Sequence, residues 1–150
     1  MKIAVVGLGY VGLSNAVLLA QNNAVVAVDV SPERVNLVNA KKSPIDDAEL
    51  QEYLGNKNLD LTATTDLVEA VSGSTFVIVA TPTDYDPVSN FFNTSSVDGV
   101  ARAVLQTSPD AIVVIKSTIP VGYVGSLRAK LGSDRIIFSP EFLREGRALH

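Results

Sequence analysis

Apolar residues along this chain fall in five short runs, residues 2–6, 25–30, 76–80, 111–115 and 135–138, separated by stretches with helical spacing. The runs are apolar almost throughout instead of alternating with polar residues, as strands are when helices cover both faces of their sheet. Leu13, Ala16, Val17 and Ala20 recur at i, i+3, i+4 and i+7, and Val97, Val100, Ala101, Val104 and Leu105 repeat the pattern. Each stripe predicts a helix packed on one sheet face. Ser31, Pro32 and Glu33 read as a hydroxyl cap followed by proline at the first helical position, which predicts a helix over residues 32–40. Residues 61–64 form a weaker candidate strand. The alternation predicts an α/β fold with a doubly wound, mostly parallel sheet and helices on both faces. No internal repeat, low-complexity tract or linker interrupts it, so residues 1–150 read as one domain.

Composition narrows the function classes. With 47% hydrophobic and 19% charged residues the chain can build a core and is not a disordered tail. Twelve basic residues against sixteen acidic ones give a formal charge of −4, with no basic cluster, which excludes nucleic acid as a partner. The absence of cysteine excludes a disulfide, a thiolate metal site and a cysteine nucleophile within the chain. No apolar run approaches the roughly 18 residues of a membrane span, and the N-terminal run is too short for a secretory leader. The expectation is a cytoplasmic protein without membrane or metal.

Gly7-Leu8-Gly9-Tyr10-Val11-Gly12 follows the first strand directly and opens the first helix, the context in which this glycine pattern binds a dinucleotide. Gly7 permits the tight turn, Gly9 lets the backbone approach a pyrophosphate, and Gly12 lets helix and strand pack closely. Backbone N–H groups and the helix dipole bind the anion without any lysine, so the chain's acidity is no obstacle. The second strand ends at Asp29, 22 residues beyond Gly7, close to the spacing of the acid that holds a ribose diol. A carboxylate there repels a 2′-phosphate and favours NAD over NADP. Arg34, five residues on, has three readings: a 2′-phosphate partner, a cation stacked on adenine, or an exposed helix residue. These features predict a Rossmann-type domain that binds NAD. An S-adenosylmethionine methyltransferase shares the loop and the acid, but has no diphosphate for the third glycine to accommodate. A non-enzymatic nucleotide-sensing module is a further alternative.

Three later strands run into hydroxyls and proline: Thr81-Pro82-Thr83, Lys116-Ser117-Thr118-Ile119-Pro120 and Ser139-Pro140-Glu141. With a strand order of 3-2-1-4-5-6 these ends would line the crevice beside the glycine loop, where the nicotinamide would lie. Residues 81–93 form a long polar and aromatic connection, read as a lid or a subunit contact. Glu141 and Glu145 would share a helical face, with Arg144 between them. His150 is read as inert.

These residues resemble the UDP-glucose 6-dehydrogenases within the wider nucleotide-sugar 6-dehydrogenases. The resemblance rests on residues 1–14, on Ala80-Thr81-Pro82-Thr83-Asp84-Tyr85-Asp86-Pro87, on Lys116-Ser117-Thr118-Ile119-Pro120-Val121-Gly122, and on Ser139-Pro140-Glu141-Phe142-Leu143-Arg144-Glu145-Gly146. It implies a parent enzyme, a homodimer, that oxidises UDP-glucose to UDP-glucuronate with two NAD, through an aldehyde and a cysteine thioester. A relative acting on GDP-mannose is the alternative within the family. The resemblance implies cofactor contacts at Val11, Asp29, Arg34, Thr83, Thr118 and Glu145, with Tyr10 in the same loop. It also implies a sugar-nucleotide segment at Glu141, Phe142, Leu143, Arg144 and Glu145, and a Thr118–Glu141 pair holding a catalytic water. Glu141 would be the base, with a carboxyl pKa expected to be raised. The family's catalytic cysteine, its dimer helix and its UDP-binding domain have no counterpart here. The chain therefore reads as the amino-terminal portion, inactive alone.

Overall fold

The computed structural model describes residues 1–142. Six parallel strands form one sheet: β1 (Lys2–Val6), β2 (Ala24–Val28), β3 (Leu61–Thr64), β4 (Phe76–Val79), β7 (Ile112–Ile115) and β8 (Ile136–Phe138), in the order β3-β2-β1-β4-β7-β8. Between β4 and β7 the chain makes a separate antiparallel hairpin, β5 (Asp84–Asp86) and β6 (Phe91–Asn93). The sheet order is the doubly wound one expected from the sequence. The weak run at residues 61–64 is the edge strand β3, paired with β2 from Val25↔Leu61 to Val28↔Thr64.

The strands are continuously apolar because each alternate side chain enters a different core. Ile3 and Val5 of β1, Val25 and Ala27 of β2 and Ile78 of β4 face helices α1 (Tyr10–Leu19) and α3 (Ala48–Asn56), with Val38 of α2 (Pro32–Asn39) joining them. Ala4 and Val6, Val77 and Val79, and Val113 and Ile115 face the opposite core, under α4 (Leu67–Val71), α5 (Ser95–Thr107) and α6 (Tyr123–Leu131). Both stripes read from the sequence are realised: Leu13, Ala16 and Val17 of α1, and Val97, Val100, Ala101 and Val104 of α5, are buried.

Local chemistry sets the helix starts. The Ser31 hydroxyl accepts from the Arg34 N–H and Pro32 begins α2. Asp47 accepts from the N–H groups of Glu49 and Leu50, both at 3.0 Å, to start α3, and Asp66 accepts from Glu69 to start α4. Helices α3 and α4 were not anticipated. An Asp47 cap followed by Leu50 and Leu54, both buried, was the signal for the first.

The hairpin also departs from expectation, occupying the connection read as a loop. Two strands of three residues are too short for periodicity to reveal. Its turn is built by the Asp86 carboxylate, which accepts from the Val88 N–H and the Ser89 hydroxyl, and by Asn90 at φ 52°. Tyr85 and Phe92 pair across the strands with ring centres 4.8 Å apart.

The chain leaves no room for a side chain at Gly7 or Gly12, where β1 turns into α1. A Cβ at Gly12 would sit 1.7 Å from the Gly7 carbonyl oxygen, and one at Gly7, whose φ is +100°, would sit 2.5 Å from the Ala80 carbonyl oxygen. Gly12→Ala therefore forces α1 off β1 and is expected to cost at least about 3 kcal/mol, the upper end of overpacking. Gly55→Ala in α3, where the nearest atom is the Gln51 Nε2 at 3.9 Å, is expected to gain about 0.5–1 kcal/mol from helix propensity. Urea unfolding of the two variants checks the contrast.

Candidate functional site: the crevice at the strand carboxyl ends

From β1 the chain winds outward through β2 to β3, then returns to place β4 on the other side of β1. The loops after β1 and β4 therefore leave in opposite directions and open a crevice between them. It encloses about 660 Å³ and is lined by Gly7, Asp29, Arg34, Thr81, Ser96 and Gly99, among others. That is enough for a nucleotide-sized ligand.

Of the glycine loop, Gly7 lines this crevice. Gly7 donates its N–H to the Val28 carbonyl at 2.7 Å, which ties the loop to the end of β2. Gly9 is the N-cap of α1 and supplies no side-chain cap, and a Cβ added there would meet no atom within 4 Å. Open space therefore faces the N-terminus of α1, whose first N–H groups have no intrahelical acceptor. Tyr10 and Val11, the first residues of α1, are half-buried beside it, and the Tyr10 hydroxyl lies 3.5 Å from the Asp46 carbonyl.

Asp29 follows β2 directly and is half-buried. Its Oδ2 accepts from the Leu8 N–H at 2.8 Å and its Oδ1 from the Ser31 N–H at 2.9 Å. Arg34 donates from Nη1 to the Leu8 carbonyl at 3.1 Å. The peptide groups of Leu8 are thus held by an acid just after β2 and an arginine of α2. Each carboxylate oxygen keeps lone-pair capacity after one backbone bond, so Asp29 can still accept from a diol.

The hydroxyls at the strand ends mostly stitch neighbouring loops together. Thr83 donates to the Thr118 carbonyl at 2.6 Å, Ser117 donates to the Thr81 carbonyl at 2.7 Å, and Ser96 donates to the Pro82 carbonyl at 3.0 Å. Thr118 itself is exposed. Thr118 and Glu141 stand three residues beyond the paired ends Ile115 and Phe138 of adjacent strands, but among the described residues no hydrogen bond joins their side chains.

Glu141 is engaged elsewhere. Lys116 Nζ donates to its Oε2 at 2.8 Å and also reaches the Ser139 hydroxyl at 3.4 Å, and Asn15 Nδ2 approaches the same Oε2 at 3.4 Å. The hydrogen bond from Lys116, aided by Asn15 and by the lysine charge, outweighs the upward push of burial and holds the Glu141 carboxyl below its ordinary value. The expectation of a raised pKa is therefore corrected: the group is partly buried, but a cation comes with it. Lys116 and Asn15 were both missed as functional candidates. Lys116 stood in the quoted Lys-Ser-Thr block, whereas nothing along the chain linked Asn15 to Glu141, 126 residues away. Phe142 is 95% exposed, and no regular structure begins at residues 141–142. Leu143, Arg144 and Glu145 lie outside the described residues, as does His150. Among the described residues no helix is long and apolar enough to cross a membrane.

Comparison with known proteins agrees with this architecture. Residues 1–150 match the UDP-glucose/GDP-mannose dehydrogenase family, NAD binding domain. The chain is 48% identical over its whole length to UDP-glucose 6-dehydrogenase of Streptococcus pneumoniae, covering 38% of that protein. It is 42% identical to UDP-glucose 6-dehydrogenase of Campylobacter jejuni, covering 39%. Among solved structures, a UDP-glucose dehydrogenase from Pyrobaculum islandicum superposes with a TM-score of 0.86 at 33% identity, over 99% of this chain and 37% of that one. The chain thus spans less than two-fifths of the length of these relatives.

The ion pair has a pH signature. Because Glu141 binds its proton less tightly in the folded chain than in the unfolded one, the stabilisation is complete above the ordinary carboxylate range and is lost as pH falls through the folded-state midpoint. Glu141→Gln is expected to destabilise the chain by about 1–2 kcal/mol at neutral pH, since it leaves Lys116 without its counter-charge. Urea unfolding at a series of pH values should show the difference from the unaltered chain shrinking through that acid window.

Proposed function

This chain belongs to the UDP-glucose/GDP-mannose dehydrogenase family as its NAD-binding domain, and we propose that it holds NAD in the crevice for a longer enzyme that oxidises UDP-glucose to UDP-glucuronate. The observation that carries the reading is the unobstructed N-terminus of α1 at Gly9, with Asp29 at the tip of the neighbouring strand. The donor set fits the cofactor: a diphosphate needs N–H groups without a Cβ in the way, and an adenosine ribose needs a carboxylate to accept from its two hydroxyls. The methyltransferase alternative is not favoured, because the matching family binds NAD. The GDP-mannose alternative is not favoured either, because the relatives at 48% and 42% identity are UDP-glucose enzymes.

In this reading the N–H groups of Gly9, Tyr10 and Val11 receive the pyrophosphate, and Gly7 and Gly12 bring strand and helix close enough to aim them. Asp29 accepts from the ribose diol. Arg34, already committed to the Leu8 carbonyl, lies along the adenine end and leaves NAD preferred over NADP. Thr83 and Thr118, joined to each other, border the nicotinamide end. Bound NAD supplies the hydride acceptor. Glu141 and Phe142 belong to the segment that takes the nucleotide sugar, and Glu141 and Thr118 hold water or the sugar hydroxyl. A covalent thioester step needs a thiol, and this chain has none.

Isothermal calorimetry is expected to show NAD bound by the chain and NADP bound more weakly. Asp29→Ala should weaken NAD by about 1–3 kcal/mol, the loss of hydrogen bonds to a charged acceptor. Affinity unchanged in a folded Asp29→Ala chain would remove Asp29 from the site, and NADP binding as tight as NAD would reverse the preference. With NAD and UDP-glucose supplied together, the chain should release no UDP-glucuronate, and its appearance would refute the dependence on an external thiol.

A further inference from the structure

Glu141 lies in an irregular segment beyond β8, and its carboxylate is held from two directions. Lys116, whose side chain is only 13% exposed, reaches it at 2.8 Å from the end of β7. Asn15 reaches it from α1, with the same Nδ2 group also donating to the Val11 carbonyl at 2.8 Å. Both donors meet Oε2. A polar cluster so placed joins three elements at the carboxyl edge of the sheet, α1 and the ends of β7 and β8, beside the glycine loop. An apolar trio would join them at no cost in desolvation, so stability alone does not explain an ammonium buried to this extent.

Among the described residues, the charges around Glu141 are few. Helix α1 carries no charged side chain, residues 116–122 carry Lys116 alone, and residues 136–142 carry Glu141 alone. Among the described residues of these packed elements, Lys116 is therefore the charge that faces the carboxylate. In a chain of net charge −4, an unpaired carboxylate here would repel an arriving nucleotide diphosphate.

We infer that Lys116, assisted by Asn15, is a positioning residue that keeps Glu141 fixed and anionic beside α1, so that this carboxylate accepts a proton from a bound hydroxyl or water, does not supply one, and adds no net charge to a site for anionic ligands. The inference rests on the reading that the crevice takes a nucleotide cofactor and a nucleotide sugar, and assigns Lys116 no contact with either. Its lowered carboxyl pKa agrees with the geometry.

The test is the titration of Glu141 in the chain itself, followed by the ¹³Cδ resonances of labelled glutamate. In the unaltered chain the Glu141 midpoint should lie below those of the exposed glutamates. Lys116→Met should move it upward, to or above theirs, because burial is then opposed only by the Asn15 amide, and Lys116→Arg should restore the low midpoint. A Lys116→Met chain that folds and titrates Glu141 as before would overturn the inference. Should Lys116→Met not fold, the ¹⁵Nζ signal of Lys116 in the unaltered chain decides: it should shift with the Glu141 midpoint, and a signal indifferent to that step overturns the pairing. NAD affinity measured on the same samples separates the two readings. An unmoved Glu141 midpoint with NAD still bound sinks only the role of Lys116, and a chain that binds no NAD sinks the cofactor reading while the titration stands by itself.

Discussion

Helix α1 can lie against β1 only because Gly7 and Gly12 have no side chains, and the geometry of the crevice depends on that approach. Any Cβ at Gly12 would overlap the Gly7 carbonyl, and any at Gly7 would meet Ala80 on the far side. With both positions bare, the helix seats close to the sheet, and open space lies at its N-terminal residue Gly9. The same packing buries Leu13, Ala16 and Val17. One steric constraint therefore serves the core and the site together.

Electrostatics follows from this arrangement. An acidic chain can receive an anion through backbone dipoles, whose partial charges do not appear in a count of lysines and aspartates. The full charges that line the crevice are tied to backbone groups, Asp29 by the Leu8 and Ser31 N–H groups and Arg34 by the Leu8 carbonyl, while Glu141, outside that lining, is held by Lys116 and Asn15. A second cluster steadies α5 against α6. Asp98 accepts from the Tyr123 hydroxyl and from Lys130, and although burial pushes its carboxyl upward, those bonds and the lysine charge hold it below the ordinary range. The same contact and burial raise the Tyr123 phenol.

Much of this was legible along the chain, for identifiable reasons. Parallel strands buried on both faces leave runs such as Ala-Val-Val-Ala-Val that need no partner to be recognised, and the Gly7–Gly12 loop is contiguous. The short elements were harder. Helix α4 has five residues and β5 and β6 have three each, below the length at which a period can be counted. Their stability comes from caps, turns and cross-strand aromatic contact instead.

The amino-acid sequence by itself determined the layer order, the glycine loop, the acid after β2 and the absence of any thiol, because each depends on residue type at a local spacing. Only the tertiary structure decided how the strand-end side chains are used. It turned Thr83 toward Thr118 and Ser117 toward Thr81, and placed Asn15 and Lys116 on one oxygen of Glu141. The protonation state of that carboxylate follows from the balance between burial and a nearby cation, and this balance exists only once α1, β7 and β8 have come together.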